Sequence, residues 1–285
     1  MGVGWLSRSR DFAVPLTKLQ AHVLQVLAAG RSLDSYVAGG VAINRDGPRF
    51  SHAIDIFQDS EERLTEAAEA DGLALNKSGL TVLWRKIQSG RRQAQIEGLD
   101  EAMQMDWVAD SDFRFFPAQP DELFGYVLHP VDLATNKASA AADRREPRDI
   151  VDLVTIHERI LPLGAVICAA VGRFPGLSPE EMLAEITRHS RFTAEDFRLL
   201  AMDGPLDVPA LHKRIRSMLE EAERFIGQLP SDDVGVVFLD GEKPVQPQIG
   251  QLARYTRHTG ARGGVWPSSS EISRAMLESY RTEGQ

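Results

Sequence analysis

The sequence predicts an α+β protein whose strands are concentrated before residue 130 and whose helices dominate after it. Three observations lead there: short β-type runs punctuated by glycine turns between residues 35 and 108, a change of texture at His129-Pro130, and repeated helix-start signals beyond it. Residues 16–29, LTKLQAHVLQVLAA, place Leu16, Leu19, Val23, Val26 and Leu27 at helical spacing, and Gly30 supplies a stop. SYVA (35–38) reads as a short strand ending at Gly39-Gly40, and HAIDIF (52–57) as a second strand with period-two alternation. Asp59 and Glu62, three apart, suit a capping box for a helix that Gly72 is expected to close. Strands are expected at 79–87, 92–97 and 102–108, and Ser89-Gly90 and Gly98 mark the turns of an antiparallel meander. VDLATNKASAAADRR and PRDIVDLVTIHERI then form two helices separated by Pro147, a residue suited to a first helical turn. Ser178 before Pro179, TAEDFRLLA, and SSSEISRAMLESY (268–280) carry further start signals, so the second half is expected to be an α-bundle.

A chain of 285 residues exceeds one small core, and two domains are expected, 1–129 and 130–285, packed against each other with a cleft between them. With 43% hydrophobic and 26% charged residues the composition is that of an ordinary globular protein. The longest apolar run, ILPLGAVICAAVG (160–172), contains Pro162 and falls short of the roughly 20 residues that span a bilayer, so it reads as a buried helix and no membrane association is expected. Residues 1–15 show no apolar core or cleavage site of an export signal, and the lone Cys168 excludes a disulfide framework; a cytoplasmic location is expected. The net charge of −9 argues against a general basic field for coating nucleic acid. The densest cationic stretch, WRKIQSGRR (84–92), reads first as a hairpin with a solvated charged face, with a local phosphate site as the alternative. His52, His129, His157 and His189 have no zinc-ligand spacing, and no G-x-x-x-x-G-K-[ST] loop is present. Trp266, beside the start signal of 268–280, reads as a core or interdomain anchor ahead of a base-stacking residue.

The stretch RFSHAIDIF (49–57) carries the chemistry. Alternation puts Ala53, Asp55 and Phe57 on one strand face and His52, Ile54 and Ile56 on the other, so Asp55 points away from the isoleucines. A glycine pair beside a strand-borne carboxylate suits a magnesium-bound triphosphate, since glycine lets phosphate approach backbone amides while hard oxygens hold the ion. In EAMQMDWVAD, Met103, Met105 and Trp107 face one way and Gln104, Asp106 and Val108 the other; Asp106 is either a further acid of the site or a solvated aspartate.

Gly39-Gly40 followed by RFSHAIDIF resembles the nucleotidyltransferase pattern of a glycine pair and a later Asp-x-Asp. More closely, YVAGGVAINR...RFSHAIDIF with LHPVDLATNKASAAADRREPRDIVDL, from Tyr36 to Leu153, resembles the AbiEii/AbiGii nucleotidyltransferase toxin family of type IV toxin–antitoxin systems, which includes MenT-like toxins. There the strand reads Arg-x-Ser-x-Asp-Ile-Asp-x-Phe; Arg49, Ser51, Asp55 and Phe57 match, and Ala53 stands at the first aspartate.

The resemblance implies an N-terminal nucleotidyltransferase fold, a mixed sheet flanked by helices, with a C-terminal α-helical domain. It implies transfer of a nucleotide from an NTP to an RNA acceptor, the 3' end of tRNA, with inhibition of translation. Asp55 and Asp106 would hold magnesium, with Ala53 at the vacant position. Gly39, Gly40, Arg49, Ser51, Lys137 and Arg148 would hold the triphosphate, and Asp149 would orient Lys137 or assist the acceptor hydroxyl. Two ions about 3.5 to 4 Å apart clamp an in-line displacement, and one aspartate holds two ions poorly, so this copy is expected to be catalytically crippled. An AbiEi-like antitoxin is the implied functional partner. Two further readings stay open: a nucleotidyltransferase that modifies a protein hydroxyl, and a catalytically dead nucleotide-binding module. Residue by residue, bland readings also stay open: a turn for Gly39-Gly40, a strand hydroxyl for Ser51, a helix N-terminal charge for Asp149, and a surface i,i+4 pair for Arg148 and Asp152.

Overall fold

Thr17 starts helix α1 (Lys18–Leu27) with a capping box: its hydroxyl accepts from Gln20 N at 3.2 Å, and Gln20 Oε1 accepts from Thr17 N at 3.0 Å. The computed structural model describes residues 16–267; the N-terminal stretch read for an export signal and the start signal at 268–280 lie outside these. Strand β1 (Ser35–Ala38) runs into the short helix α2 (Gly39–Ile43), and β2 (Ala53–Gln58) returns antiparallel beside β1. Helix α3 (Glu61–Lys77) is capped by Ser60, whose hydroxyl accepts from Arg63 N, in place of the expected Asp59. It also runs through Gly72, the expected stop. The Trp84 ring covers that position, 3.2 Å from where a β-carbon would sit, so burial overrides the helix-breaking tendency of glycine.

The meander follows as β3 (Thr81–Gln88), β4 (Arg91–Gly98) and β5 (Glu101–Ala109), then β6 (Phe113–Arg114), β7 (Gln119–Asp121) and β8 (Gly125–Val127). Seven of these strands form one sheet in the order β3-β4-β5-β2-β1-β8-β7. It is mixed: β2 pairs parallel with β5 and β1 parallel with β8, while the other neighbours are antiparallel. One face packs Ile54, Ile56, Ala94, Ile96, Met105 and Trp107 against Leu19 and Val23 of α1 and Leu64, Ala68 and Leu75 of α3. Full burial of each Ile, Leu, Val or Met side chain here is worth about 1.5 to 3 kcal/mol. The opposite face carries Asp55 and Asp106.

Among the described residues six α-helices follow: α4 (Pro130–Asp143), α5 (Pro147–Arg159), α6 (Leu163–Arg173), α7 (Pro179–His189), α8 (Ala194–Arg198) and α9 (Val208–Ile226). Pro130, Pro147 and Pro179 all sit in first turns, where a missing N–H costs nothing. The run 160–172 is the buried α6, and no single helix among the described residues is long and apolar enough to cross a membrane. The second half is not wholly helical, as the start signals had suggested. Strands β9 (Val237–Asp240), β10 (Lys243–Val245) and β11 (Thr256–His258) form a small sheet, and β12 (Ala261–Arg262) pairs with β6.

A continuous hydrophobic cluster joins Tyr36, Ala38 and Ile43 to Leu133, Ala134, Leu153 and Val154 of α4 and α5 and to residues of α6, α7 and α9. Buried polar groups fix the same junction. Asp132 on α4 accepts from the amides of Phe115 and Phe116 at 2.8 and 3.0 Å, and Arg114 donates to both oxygens of Asp59. Helix α4 is thereby held over the polar face of the sheet, which places Lys137 above Asp55.

Candidate active site

In the β1–β2 register Ala38 stands opposite Asp55, so the residue after β1, Gly39, passes directly over the Asp55 carboxylate. Gly39 has φ +69°, and a β-carbon there would collide with Asp55 Oδ2 and lie 2.8 Å from Cγ. Only glycine fits both the left-handed backbone and the close approach. At Gly40 a β-carbon would stand 2.6 Å from Arg49 Nη2 and 3.1 Å from Ser51 Oγ, so both glycines leave room for groups of the RFSHAIDIF stretch.

On its other side β2 pairs parallel with β5, which sets Asp55 beside Asp106 and Ala53 beside Gln104. Asp106 is buried, not solvated: Arg91 Nε and Nη2 reach its Oδ1 at 2.8 and 2.7 Å, Gln93 Nε2 reaches the same oxygen at 3.0 Å, and Gln104 Nε2 reaches Oδ2 at 2.6 Å. Burial first, and then the Asp106 charge, pushes the Asp55 carboxyl above the usual range, against the opposing pull of Lys137, Arg148 and Arg91.

Across the gap α4 supplies Lys137. Its Nζ bridges Asp149 Oδ1 at 2.9 Å and Asp152 Oδ2 at 3.0 Å, both on α5 and both fully buried. Arg144 holds Asp149 at 2.8 Å, and Arg49 holds Asp152 through two bonds of 2.8 Å, joined by Asn44 Nδ2 at 2.7 Å. Burial pulls the Lys137 ammonium down, but Asp152 and Asp149 outweigh it, so the lysine stays charged above its usual range. Burial pushes Asp149 up, yet Lys137 and Arg144 dominate and hold it at about 2. Asp152 is therefore no surface partner of Arg148. It ties the Arg49 loop to α5, and that loop is fixed again where Phe50 N donates to Ala201 O at 2.9 Å.

These elements enclose a cavity of about 350 Å³. Gly39, Gly40, Arg49 and Ser51 line one side, and Ala53, Asp55 and Asp106 the floor. Lys137 and Arg148 line the helical wall, joined by Arg144, while Asp149 sits behind Lys137 without lining the space. The structure thus gathers the sequence-predicted residues, and it adds Arg91, Arg144 and Gln104 to the walls and Asn44 and Asp152 behind them. Arg91 came from the cationic stretch read as a solvated hairpin face; it does close a hairpin turn, but its guanidinium turns onto Asp106. Period-two counting back from Gln93 to Arg91 puts both on one face of β4, the signal that could have found it. Trp266 is half exposed, with its ring 6.2 Å from those of Phe116 and His129.

Cationic walls over a carboxylate floor suit a polyanionic phosphate ester. The donor set does not suit two divalent ions. Ala53 offers a methyl where a second strand carboxylate would stand, and Asp106 already accepts three hydrogen bonds, from Arg91 Nε, Gln93 and Gln104, and is ion-paired with the Arg91 guanidinium. No group of three His, Cys, Asp or Glu able to hold a metal occurs among the described residues.

No protein-family model matches the sequence, and no curated protein matches it. Among solved structures the chain is similar to MenT4, a nucleotidyltransferase toxin from Mycobacterium tuberculosis H37Rv, with a TM-score of 0.54 and 16% identity over 75% of this chain and 83% of that one. The likeness shows a shared fold: a mixed sheet flanked by helices, as in that nucleotidyltransferase.

Proposed function

We propose that the cavity between β2 and α4 binds a nucleoside triphosphate, and that the chain is a toxin-type nucleotidyltransferase of the AbiEii/AbiGii kind whose own transfer step is crippled by Ala53. The observation that carries this reading is that Asp55, lying under Gly39, and Lys137 face one shared cavity of about 350 Å³, a nucleotide-sized space with cationic walls. Lys137, Arg144 and Arg148 take the phosphates, and Gly39 and Gly40 let them approach the backbone closely. Asp149 keeps Lys137 charged and aimed.

In this reading residues 1–129 form the nucleotide-binding core and residues 130–285 the part that closes over it. With an aspartate at position 53 the site would move a nucleotide from an NTP to an RNA, the tRNA 3' end, in the bacterial cytoplasm, with an AbiEi-like antitoxin as its functional partner. The fold shared with MenT4 supports nucleotidyl transfer as the chemistry. The test is Ala53→Asp, incubated with each radiolabelled NTP, magnesium, and either total RNA or total protein. Label entering RNA well above the wild-type background supports the reading; label entering protein alone moves the acceptor to a protein hydroxyl; label in neither removes the assignment of transfer chemistry to this site.

A further inference from the structure

Beside Asp106 the cation is part of the protein. Arg91 opens β4 next to the tight Ser89-Gly90 turn; its Nε donates to Asp106 Oδ1 at 2.8 Å, and Nη2 lies 2.7 Å from the same oxygen as an ion-pair contact. Gln93 takes a further direction on that oxygen and Gln104 one on Oδ2. A carboxylate offers about four acceptor directions; three are taken and the ion-paired guanidinium crowds Oδ1, so Asp106 has little left to give to a metal. The Asp106 side chain is 2% exposed while that of Arg91 is 41% exposed, so the guanidinium forms the solvent-facing side of this pair and lines the cavity.

Magnesium demands a near-octahedral oxygen shell at about 2.0 to 2.1 Å. To sit between Asp55 and Asp106 it would have to dislodge an ion-paired, hydrogen-bonded guanidinium and two amides, and then lie against the displaced positive charge. The neighbouring position on β2 that would supply a further oxygen is Ala53, and Gln104, opposite it in register, is already turned to Asp106. The guanidinium has five N–H donors and commits Nε to Asp106, so Nη hydrogens remain for an incoming anion. Resting on the nucleotide reading above, we propose that this pocket binds its nucleotide as the metal-free polyphosphate anion, with Arg91, fixed on Asp106, in the electrostatic place of a divalent cation. Lys137 and Arg148 complete the cationic lining on the opposite wall.

Isothermal titration of the wild-type protein with ATP, GTP, CTP and UTP, each in magnesium buffer and in EDTA, tests this. For whichever nucleotide binds, the dissociation constants agree within about twofold between the two buffers, and Arg91→Gln weakens binding in EDTA by about tenfold or more. Losing the charge beside the buried Asp106 is expected to lower the melting temperature, while the two glutamine amides keep the carboxylate in place, so the variant is titrated well below its own melting temperature. As a measurement independent of any variant, the electron paramagnetic resonance signal of Mn2+ titrated into the nucleotide-free wild type shows no protein-bound ion. Wild-type binding that is about tenfold weaker in EDTA, a bound Mn2+ in the free protein, or an Arg91→Gln variant that binds like wild type in EDTA each overturns the proposal and leaves the nucleotide reading standing. Failure of all four nucleotides to bind in either buffer overturns both.

Discussion

The backbone of Gly39 lies so close over the Asp55 carboxylate that a β-carbon would collide with Oδ2, and Gly39 holds φ at +69°. Gly39→Ala therefore costs about 1 to 2 kcal/mol for the left-handed backbone and in addition pushes Asp55 out of place. The expected outcome is lower stability in urea unfolding together with a loss of nucleotide binding by calorimetry. Gly79→Ala is the matched control: its φ is +86° but a β-carbon there meets nothing within 4 Å. It should lose similar stability and keep nucleotide affinity unchanged.

Lys137 is the shared partner of two buried carboxylates. Replacing it by Met leaves Asp149 to Arg144 alone and Asp152 to Arg49 and Asn44. Breaking a buried pair by removing one partner costs about 3 to 5 kcal/mol, and urea unfolding at neutral pH should show a loss toward that range. The pH dependence has a defined sign. Asp149 is held at about 2, below its unfolded value, so its contribution is present above about pH 4 and is lost as the pH falls toward 2. In Lys137→Met that acid-side loss should shrink, because the folded-state value rises.

A second acid-sensitive group sits at the start of α4. His129 Nδ1 accepts from Val131 N at 3.2 Å, and its ring stacks on Phe116 at 3.9 Å. Burial, and then His258, pull its value down from 6.5 to about 3. The folded state keeps the ring neutral while the unfolded chain protonates it, so stability is present above about pH 6.5 and is lost as the pH falls toward 3. Linkage puts the loss between pH 7 and pH 5 at about 2 kcal/mol. His129→Asn keeps a capping acceptor without a titrating ring; it should be less stable at pH 7 for want of the stack, but its unfolding free energy should fall correspondingly less between the two pH values.

Much of this site could be read from local pattern. Alternation placed Asp55 and Asp106 on the face away from Ile54, Ile56, Met105 and Trp107, because a strand with one greasy face has one choice of side. What alternation does not contain is which strands become neighbours. The parallel β2–β5 pairing that sets Asp55 beside Asp106 joins residues about 50 apart in sequence, across a helix and a hairpin. The burial of Asp152 was illegible for the same reason: its partners, Arg49 and Asn44, come from a distant loop. Helix α3 continues through Gly72 because Trp84 arrives from β3 to cover it. The strands β9 and β10 did have a local signal, Gly241-Glu242 between β-type residues, a glycine-first two-residue hairpin turn outweighed by the helix starts elsewhere in this half.

A triphosphate lying between Asp55 and Lys137 is tested most directly by a crystal structure of the protein with a non-hydrolysable NTP at saturating concentration. The result expected is phosphate density in the cavity, touching Lys137 and Arg148 and passing over Gly39. Nucleotide bound elsewhere on the surface, with only water between Asp55 and Lys137, would contradict it.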